Sequence, residues 1–409
     1  MDYLSTPPSS YPYVSVAAAS LLLCLVTRAV YRLYFSPIAS FPGPKLAALT
    51  FWYEFYYDVI QRGQMTFRIR DMHKQYGPIV RISPAEIHVE TPSFADELYS
   101  TSRRRDKWER FTRCFGIPDS VFTTVDHDVH RMRRAALNPF FSTASVRRLQ
   151  PVIEERLDRL LERFAEFQET GETMAVNMAY AAYTNDVAMQ YAFARCEHRI
   201  EAKDFDPSFH DASMVGSALG QFMKQFPWVI ILMQALPDWV AVLLNKDMAS
   251  YVKLQRDIKS QVKAIQSGTY TLHKTVSHPT IFHEILNSKL PPAEKSFDRL
   301  WQDGQVTVVA GTLTTAWALS VTHYHLLATP SALKKLKTEL VSAIPDPSVP
   351  VPLASLEQLP YLSAVIQESL RLSCGVSTRL QRIAPDEAMR FTDPISGRMW
   401  TIPPGHRLV

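Results

Sequence analysis

Glycine and cysteine are scarce in this sequence of 409 residues, and each shortage excludes a class of protein. The 13 glycines are outnumbered by 28 prolines, which argues against chains built on Gly-rich turns or phosphate-binding loops. The four cysteines lie far apart and form no Cys-x-x-Cys pair, so neither a zinc site nor a disulfide framework is indicated. Lone thiols of this kind are typical of a reducing compartment.

A strong excess of charge is also absent. Lysine and arginine number 44 against 40 for aspartate and glutamate, so charge gives no reason to expect a nucleic-acid partner, and we expect none. The apolar share of 46% excludes a disordered or collagen-like chain and suffices for one large core or two moderate ones. Together with the shortage of glycine, this composition favours a mostly helical protein.

Charged residues are missing from a long N-terminal stretch. None lies between Tyr3 and Thr27, and Arg28 and Arg32 follow directly. Prolines before this stretch leave a helix over residues 13–34, which is long enough to cross a bilayer core of about 30 Å. A cleaved secretory signal is the alternative, but its basic residues would precede the apolar run rather than follow it. We therefore expect an uncleaved membrane anchor, with the residues after Arg28 on the cytosolic side.

Prolines mark the end of this anchor. Three of them between Ser36 and Pro44 remove backbone donors and fix φ, so this segment cannot be helical and predicts a stiff connection. The sequence thus divides into an anchor at residues 1–35, a proline-rich linker at 36–45 and one globular domain at 46–409.

Inside the globular domain, the periodicity of apolar residues predicts a small sheet followed by helices. Short β-type runs at Ile79–Ser83 and Glu86–Glu90 predict a hairpin at a sheet edge. Apolar residues at steps of three and four predict one long amphipathic helix over Val146–Phe167. Phe222–Leu244 suits either a buried wall or a surface that touches lipid, and Asp346–Pro352 reads as a connecting loop.

The longest helix is predicted at about Phe297–Thr329. Its residues from Gly304 onward carry no Asp, Glu, Lys or Arg as far as Leu333, so the helix belongs in a core. A second membrane span is the rival interpretation, but the threonines and histidines make the stretch too polar to face lipid. The small residues Ala310 and Gly311 then indicate either the approach of something flat and bulky or close packing of two helices.

Three sets of charged residues are candidates for binding. His130 and Arg134 lie four apart on one helical face and could clamp carboxylates, although such a face is also typical of a solvated surface. Glu368 and Arg371 can meet on the predicted helix Tyr361–Leu372, where apolar neighbours imply that the pair is partly buried. Arg382 follows on an extended segment and could hold an anion.

These motifs occur in an order that resembles the microsomal cytochrome P450 enzymes, most closely those of fungal secondary metabolism. The resemblance covers the chain from the anchor to Val409. It implies a mainly helical prism with a small β-sheet, holding b-type haem against the long helix. The motifs are Phe41-Pro-Gly-Pro44, His130-x-x-x-Arg134, Ala310-Gly-x-x-Thr314-Thr315, Glu368-x-x-Arg371 and Ile402-Pro-Pro-Gly405.

The resemblance also implies roles for individual residues. Ala310, Gly311, Thr314 and Thr315 would form the oxygen-activation motif, with Thr314 over the distal face of the iron, where it would deliver protons through an ordered water. Propionate contacts would come from His130, Arg134 and Arg382. Glu368 and Arg371 would be structural residues below the haem.

Two departures from the family pattern stand out. Leu313 occupies a position where the family commonly has Asp or Glu, and leucine cannot relay a proton. The loop Phe-x-x-Gly-x-Arg-x-Cys-x-Gly, whose thiolate ligates iron in the family, does not occur in the 409 residues, and Cys24, Cys114, Cys196 and Cys374 lack its context. We therefore expect a prism that is incomplete at the C-terminus, no axial ligand, doubtful haem retention and reduced stability around a half-satisfied Glu368–Arg371 pair.

Three functions are compatible with these features. The first is a monooxygenase of the endoplasmic reticulum that inserts oxygen from O2 into a lipophilic small molecule, with electrons from NADPH–cytochrome P450 reductase; in this form the missing cysteine would make it inactive. The second is a catalytically dead, membrane-anchored remnant that acts, if at all, as a binding or interaction protein. The third is an unrelated anchored helical protein. We favour the first.

Overall fold

The computed structural model describes residues 11–237, 239–240, 243, 246–346, 349 and 351–409. The chain forms two compact units, the first made of Met1–Phe111 with Leu380–Val409 and the second of Thr112–Arg379. In the described part of the chain all the strands belong to the first unit, and most of the remaining structure is helical. The prediction of a mainly helical fold with a small sheet is confirmed. Residues 1–10 of the predicted anchor, and parts of 222–244 and 346–352, lie outside the described residues.

The first unit begins with the predicted apolar helix, which continues into a π-helical turn. The stretch Tyr13–Phe35 is long and apolar enough to cross a membrane, and none of its apolar window is buried in protein. The α-helices of this unit are Tyr11–Val30, Lys45–Leu49, Trp52–Phe55, Met65–Tyr76 and Ala95–Leu98, with π-helical turns at Tyr31–Phe35 and Tyr56–Ile60 and a 3-10 turn at Pro92–Phe94. A short helix, Glu109–Thr112, lies where the chain passes into the second unit.

Two small sheets complete the first unit. The strands are β1 Ile79–Arg81, β2 Glu86–Val89, β3 Asp106–Lys107, β4 Arg382–Ile383, β5 Met389–Thr392, β6 Met399–Ile402 and β7 Arg407–Leu408. The five-stranded sheet has the order β1-β2-β7-β4-β3, in which β7 runs parallel to β2 and the other pairs are antiparallel, and β5 pairs with β6 in a second sheet. The predicted hairpin is therefore confirmed, with β1 at the sheet edge.

The proline-rich segment after the anchor is non-helical, as predicted, and it is packed against the first sheet. Ile38 and Phe41 are buried in one core cluster with Ile79 and Ile87 of the hairpin. A Cβ at Gly43 would stand 2.3 Å from the carbonyl oxygen of Arg81, so only glycine allows this close approach. Burial of these apolar side chains holds the segment to the sheet.

The second unit is built from helices. Its largest core cluster is formed by apolar side chains from the Val176–Phe193, Lys246–Gln266 and Phe297–Ala328 helices. The α-helices are His127–Leu137, Thr143–Arg148, Gln150–Thr170, Val176–Phe193, Ser208–Gln225, Trp228–Ala235, Lys246–Gln266, Ile281–Asn287, Phe297–Ala328, Pro330–Ala343, Leu353–Leu356 and Pro360–Ser373; 3-10 turns lie at Arg113–Phe115, Asn138–Phe141, Arg199–Glu201, Leu272–Lys274 and Pro292–Lys295.

One predicted helix of this unit is wrong in its extent. The apolar pattern over Val146–Phe167 predicts a single helix, but the structure has two, Thr143–Arg148 and Gln150–Thr170, which meet at Leu149. Pro151 stands in the first turn of the second helix, where its missing N–H has no helical partner to lose. Proline therefore starts a new helix without changing the apolar period.

The long helix, Phe297–Ala328, lies where its uncharged sequence predicted it. Its 32 residues span about 48 Å. The buried residues lie mainly in the first half, among them Leu300, Trp301 and Gly304. The prediction that the helix belongs in a core is confirmed for this half and wrong for the second half, where one face is exposed from Ala310 onward. A lack of charge predicts a helix, but it does not determine whether other elements cover that helix.

Candidate functional site

The exposed face of the long helix carries the small residues of the oxygen-activation motif. Ala310, Gly311, Thr314 and Thr315 are all exposed. Thr312, on the opposite face, is fully buried, and its carbonyl oxygen accepts a hydrogen bond of 3.0 Å from the hydroxyl of Thr184. One side of the helix is therefore fixed to a neighbour, while the side that bears Ala310 and Thr314 is open.

The two glycines of this helix have different surroundings. A Cβ at Gly304 would stand 3.1 Å from Ile258 Cγ2 and 3.2 Å from Phe193 Cζ, so helix packing favours glycine there. A Cβ at Gly311 would meet only the Cβ of Ala188, at an ordinary 3.4 Å. Packing between helices thus accounts for Gly304 but not for Gly311.

The hydroxyl of Thr314 is engaged with its own helix. It donates a hydrogen bond of 2.8 Å to the carbonyl oxygen of Ala310, a bond from residue i to residue i−4 that helical threonines commonly make. Leu313, at the position where an acid was expected by resemblance, is half-buried and brings no polar atom to this turn. The polar side-chain atoms next to Gly311 on the exposed face are therefore the hydroxyls of Thr314 and Thr315.

His130 and Arg134 lie one turn apart on the helix His127–Leu137, as predicted. The carboxylate of Asp126 caps this helix by accepting hydrogen bonds of 2.9 Å from the N–H groups of Asp128 and Val129, and such a cap fixes where the helix begins. Arg134 is exposed, with its guanidinium 5.3 Å from the centroid of the Phe141 ring.

Residues that the sequence reasoning missed lie next to these cations. Arg133 forms a two-pronged ion pair with Glu294, with Nε 2.6 Å from Oε2 and Nη2 3.2 Å from Oε1. Glu294 Oε2 also lies 2.8 Å from Nε of Arg299, whose Nη1 is 2.9 Å from Oδ2 of Asp303. The signal available in the sequence was the pair Arg299 and Asp303, one helical turn apart just before the uncharged stretch.

Arg382 belongs to the first unit. Its guanidinium lies 5.2 Å from the centroid of the Tyr99 ring and donates to the carbonyl oxygens of Leu380 and Gln381 at 3.4 and 3.0 Å. Burial lowers the pKa of Arg382, and the nearby Tyr99 opposes this shift. His130 and Arg134 belong to the second unit, so the grouping of the three cations around one anion stays a prediction.

Glu368 and Arg371 form the predicted pair, but its predicted burial is wrong. Arg371 Nε and Nη2 lie 2.7 and 2.5 Å from the two carboxylate oxygens of Glu368. The side chains are 55% and 67% exposed. Apolar neighbours on the helix Pro360–Ser373 suggested burial, yet Ile366 and Leu370 are themselves exposed. The ion pair therefore faces water, and its formation carries no large desolvation cost.

The cysteines offer no alternative iron ligand. All four are free thiols. Burial raises the pKa of Cys196 to about 11, which disfavours the thiolate that binds metal. Cys374 is exposed at the end of the Pro360–Ser373 helix and Cys24 lies in the apolar N-terminal helix. Among the described residues no cluster of three or more metal-binding side chains exists.

The long helix can accommodate a flat prosthetic group against its exposed face. Ala310 and Gly311 present little more than backbone there, and packing does not explain the missing Cβ of Gly311. The pair His130 and Arg134 supplies donors for acidic groups. These features fit a porphyrin with carboxylate arms, whereas the cysteines do not fit its axial thiolate.

Comparison with known proteins agrees with this geometry. The sequence pattern of the family described as Cytochrome P450 matches residues 42–405. Cytochrome P450 monooxygenase tpcC of Cochliobolus heterostrophus is 52% identical over 96% of this chain and 75% of its own length. The monooxygenase astB of Talaromyces wortmannii is 47% identical over 95% and 73%, and tryptophan 6-hydroxylase fscE of Fusarium equiseti is 42% identical over 92% and 74%. An unrelated helical protein is thereby excluded: the chain belongs to the cytochrome P450 family, among the monooxygenases of fungal secondary metabolism.

Proposed function

We propose that this chain is the membrane-anchored monooxygenase component of a fungal biosynthetic pathway, and that it inserts one oxygen atom of O2 into a lipophilic small molecule. The observation that carries the proposal is the exposed face at Ala310, Gly311 and Thr314 on a helix whose first half is packed into the core. Electrons would come from NADPH–cytochrome P450 reductase. The name of one relative, a tryptophan 6-hydroxylase, favours aromatic ring hydroxylation as the reaction.

Within this proposal each site residue has a defined task. His130, Arg134 and Arg382 would hold the haem propionates, since cations with several N–H donors suit carboxylates. Bound haem would supply the activation of O2. Gly311 and Ala310 leave space for the flat ring, and Thr315 adds a second hydroxyl at the same face.

Thr314 would hold a proton at its Oγ1 atom beside the reacting oxygen. Its hydroxyl donates to the Ala310 carbonyl oxygen and keeps a lone pair that can accept from a water. Leu313 brings no acid, so proton delivery would depend on Thr314 and ordered water. Glu368 and Arg371 would have a structural role and would take no part in the reaction.

The domain organisation and location are part of the same proposal. Residues 1–35 would anchor the protein in the endoplasmic reticulum membrane, residues 36–45 would connect the anchor, and residues 46–409 would carry the haem-facing and substrate-facing surfaces on the cytosolic side. The single apolar helix Tyr13–Phe35 supports this arrangement.

The cysteine that ligates iron in the family decides whether this polypeptide by itself can carry out the family's reaction. We propose that the 409-residue chain by itself forms no thiolate-ligated haem, because its four cysteines lack the Gly-rich loop that would present a thiolate under hydrogen-bond donors. The remnant interpretation predicts the same spectrum for this chain, so the decisive sample must contain the missing ligand.

The test compares two proteins. One is the 409-residue chain, and the other is the same chain joined after Val409 to the family's Cys loop from the Cochliobolus relative. After reduction and addition of carbon monoxide, we expect a thiolate-type Soret band only from the fusion. In the fusion, Thr314→Ala is expected to lower product formation by about a hundredfold or more. A fusion that binds haem and substrate but forms no product with a reductase would contradict the proposal and favour the binding-protein alternative.

A further inference from the structure

Four charged side chains of the second unit form a continuous series of ion pairs. The series begins at Arg133 on the helix His127–Leu137, which we call the cation-bearing helix. It continues through Glu294 and Arg299 and ends at Asp303 on the long helix. Each step joins oppositely charged atoms 2.6 to 2.9 Å apart. The two helices are therefore linked by charge pairs outside the exposed haem-facing surface.

The two ends of this series, Asp303 and Arg133, hold the loop 117–124 together with Gln302. Asp303 Oδ1 accepts a hydrogen bond of 2.7 Å from the N–H of Val121. Gln302 Oε1 accepts one of 2.8 Å from the N–H of Asp119. From the other side, Arg133 Nη1 donates to the carbonyl oxygen of Asp119 at 3.1 Å and to Thr124 Oγ1 at 2.8 Å. The loop is thus fixed by both the long helix and the cation-bearing helix.

Burial makes these contacts sensitive to single substitutions. The side chains of Arg299 and Asp303 are 4% and 0% exposed. Burial raises the pKa of Asp303, and the charge of Arg299 offsets part of this effect. The pKa of Glu294 is lowered overall. Burial by itself would raise this pKa, but the hydrogen bond from Arg133 and the charges of Arg133 and Arg299 outweigh the effect of burial. Removing one member leaves an unpaired buried charge, which costs far more than the loss of an exposed pair.

We propose that Arg133, Glu294, Arg299 and Asp303 are positioning residues that fix the loop 117–124 and set the position of His130 and Arg134. The part that concerns haem rests on the proposed function. Arg133 precedes Arg134 in sequence but pairs with Glu294, so the four residues act through the loop and the helix. They are therefore expected to control porphyrin binding without contacting the porphyrin.

Amide hydrogen exchange of the full 409-residue chain tests the loop directly, without haem. Asp303→Ala removes the acceptor for Val121, and we expect exchange in peptides covering 117–124 to rise at least tenfold, the factor that about 1.4 kcal/mol produces. Asp303→Asn keeps an amide oxygen for Val121 and loses the charge, so its effect is expected to be smaller. Gln302→Ala removes the acceptor for Asp119 without changing any charge and serves if Asp303→Ala does not fold.

The control is an ion pair of the same unit that does not reach the loop and in which only the arginine is buried. Glu201→Gln removes the negative charge 2.9 Å from Arg156 Nη1, and its exchange in 117–124 is expected to match the wild-type chain. Equal exchange of this loop in Asp303→Ala and wild type, or an equal rise in Glu201→Gln, overturns the proposal.

A titration with hemin tests the second consequence, and it uses the fusion that carries the Cys loop. In the fusion, Glu294→Gln is expected to weaken hemin binding at least tenfold, and Glu201→Gln is expected to leave it unchanged. Unchanged affinity in Glu294→Gln overturns the link to the propionate cations. Absence of hemin binding in the fusion without substitutions instead counts against the proposed function, and the exchange result then decides on the loop alone.

Discussion

The Nη1 atom of Arg81 donates a hydrogen bond of 2.8 Å to the carbonyl oxygen of Arg32. Arg32 lies in the π-helical turn that ends the apolar N-terminal helix. Its carbonyl has no helical donor five residues on, because Pro37 has no N–H. Arg81, which is only 1% exposed, supplies the missing donor and thereby ties the end of the anchor to strand β1.

Removing this guanidinium is expected to loosen the connection between anchor and sheet. Arg81→Met leaves the carbonyl of Arg32 without its donor, as well as that of Pro84, now bonded at 2.9 Å. We expect a loss of about 3 kcal/mol in the free energy of unfolding and faster protease cleavage within residues 36–44. Urea unfolding and timed proteolysis measure both. Arg70→Met, at an exposed arginine of the same unit, is the control, and equal effects of the two variants would contradict this role for Arg81.

The two glycines of the long helix should respond oppositely to alanine. At Gly304 the new methyl group meets Ile258 and Phe193, which are fully buried and would have to shift by a few tenths of an ångström, so we expect a net loss of about 1 kcal/mol. At Gly311 it meets only Ala188 at van der Waals distance, and the higher helix propensity of alanine should raise stability by up to about 1 kcal/mol. Thermal unfolding of both variants, side by side, measures the difference. A loss at Gly311 as large as that at Gly304 would mean that packing does require both glycines.

The pair Glu368 and Arg371 is expected to contribute little to the stability of the 409-residue chain. Both side chains face water, where the attraction of the charges is screened and competes with hydration. Glu368→Gln should therefore leave the urea midpoint unchanged, in contrast to Asp303→Asn, which affects a buried pair. A large shift of the midpoint in Glu368→Gln would show that the pair is covered in solution.

Periodic features of the sequence predicted their structures well. The uncharged run predicted the long helix, two short β-type runs predicted the hairpin, and a four-residue step placed His130 and Arg134 on one face. These signals work because side-chain direction repeats with the backbone geometry.

Features that depend on distant residues could not be predicted in this way. The apolar neighbours of Glu368 show which face of its helix is apolar, but not whether another element packs against that face. Similarly, nothing local indicates that Arg133 pairs with Glu294, since the two lie 161 positions apart. Tertiary packing decides both, and it also decides that Gly304, not Gly311, is a packing glycine.

A stacked pair of histidines should make the second unit sensitive to acid. The rings of His273 and His283 lie 3.6 Å apart between centroids, and burial, followed by the charge of His273, lowers the pKa of His283 to about 4 from 6.5. Between these two pKa values, His283 is protonated in the unfolded chain and neutral in the folded chain. The free energy of unfolding that is present above pH 6.5 is therefore lost as the pH falls towards 4. We expect this loss to be smaller in His283→Phe, which keeps an aromatic ring against His273 but cannot be protonated. Urea midpoints of both proteins across this pH range separate the contribution of His283 from that of the carboxylates, because the carboxylates titrate in both proteins. Parallel pH profiles would show that His283 keeps an ordinary pKa.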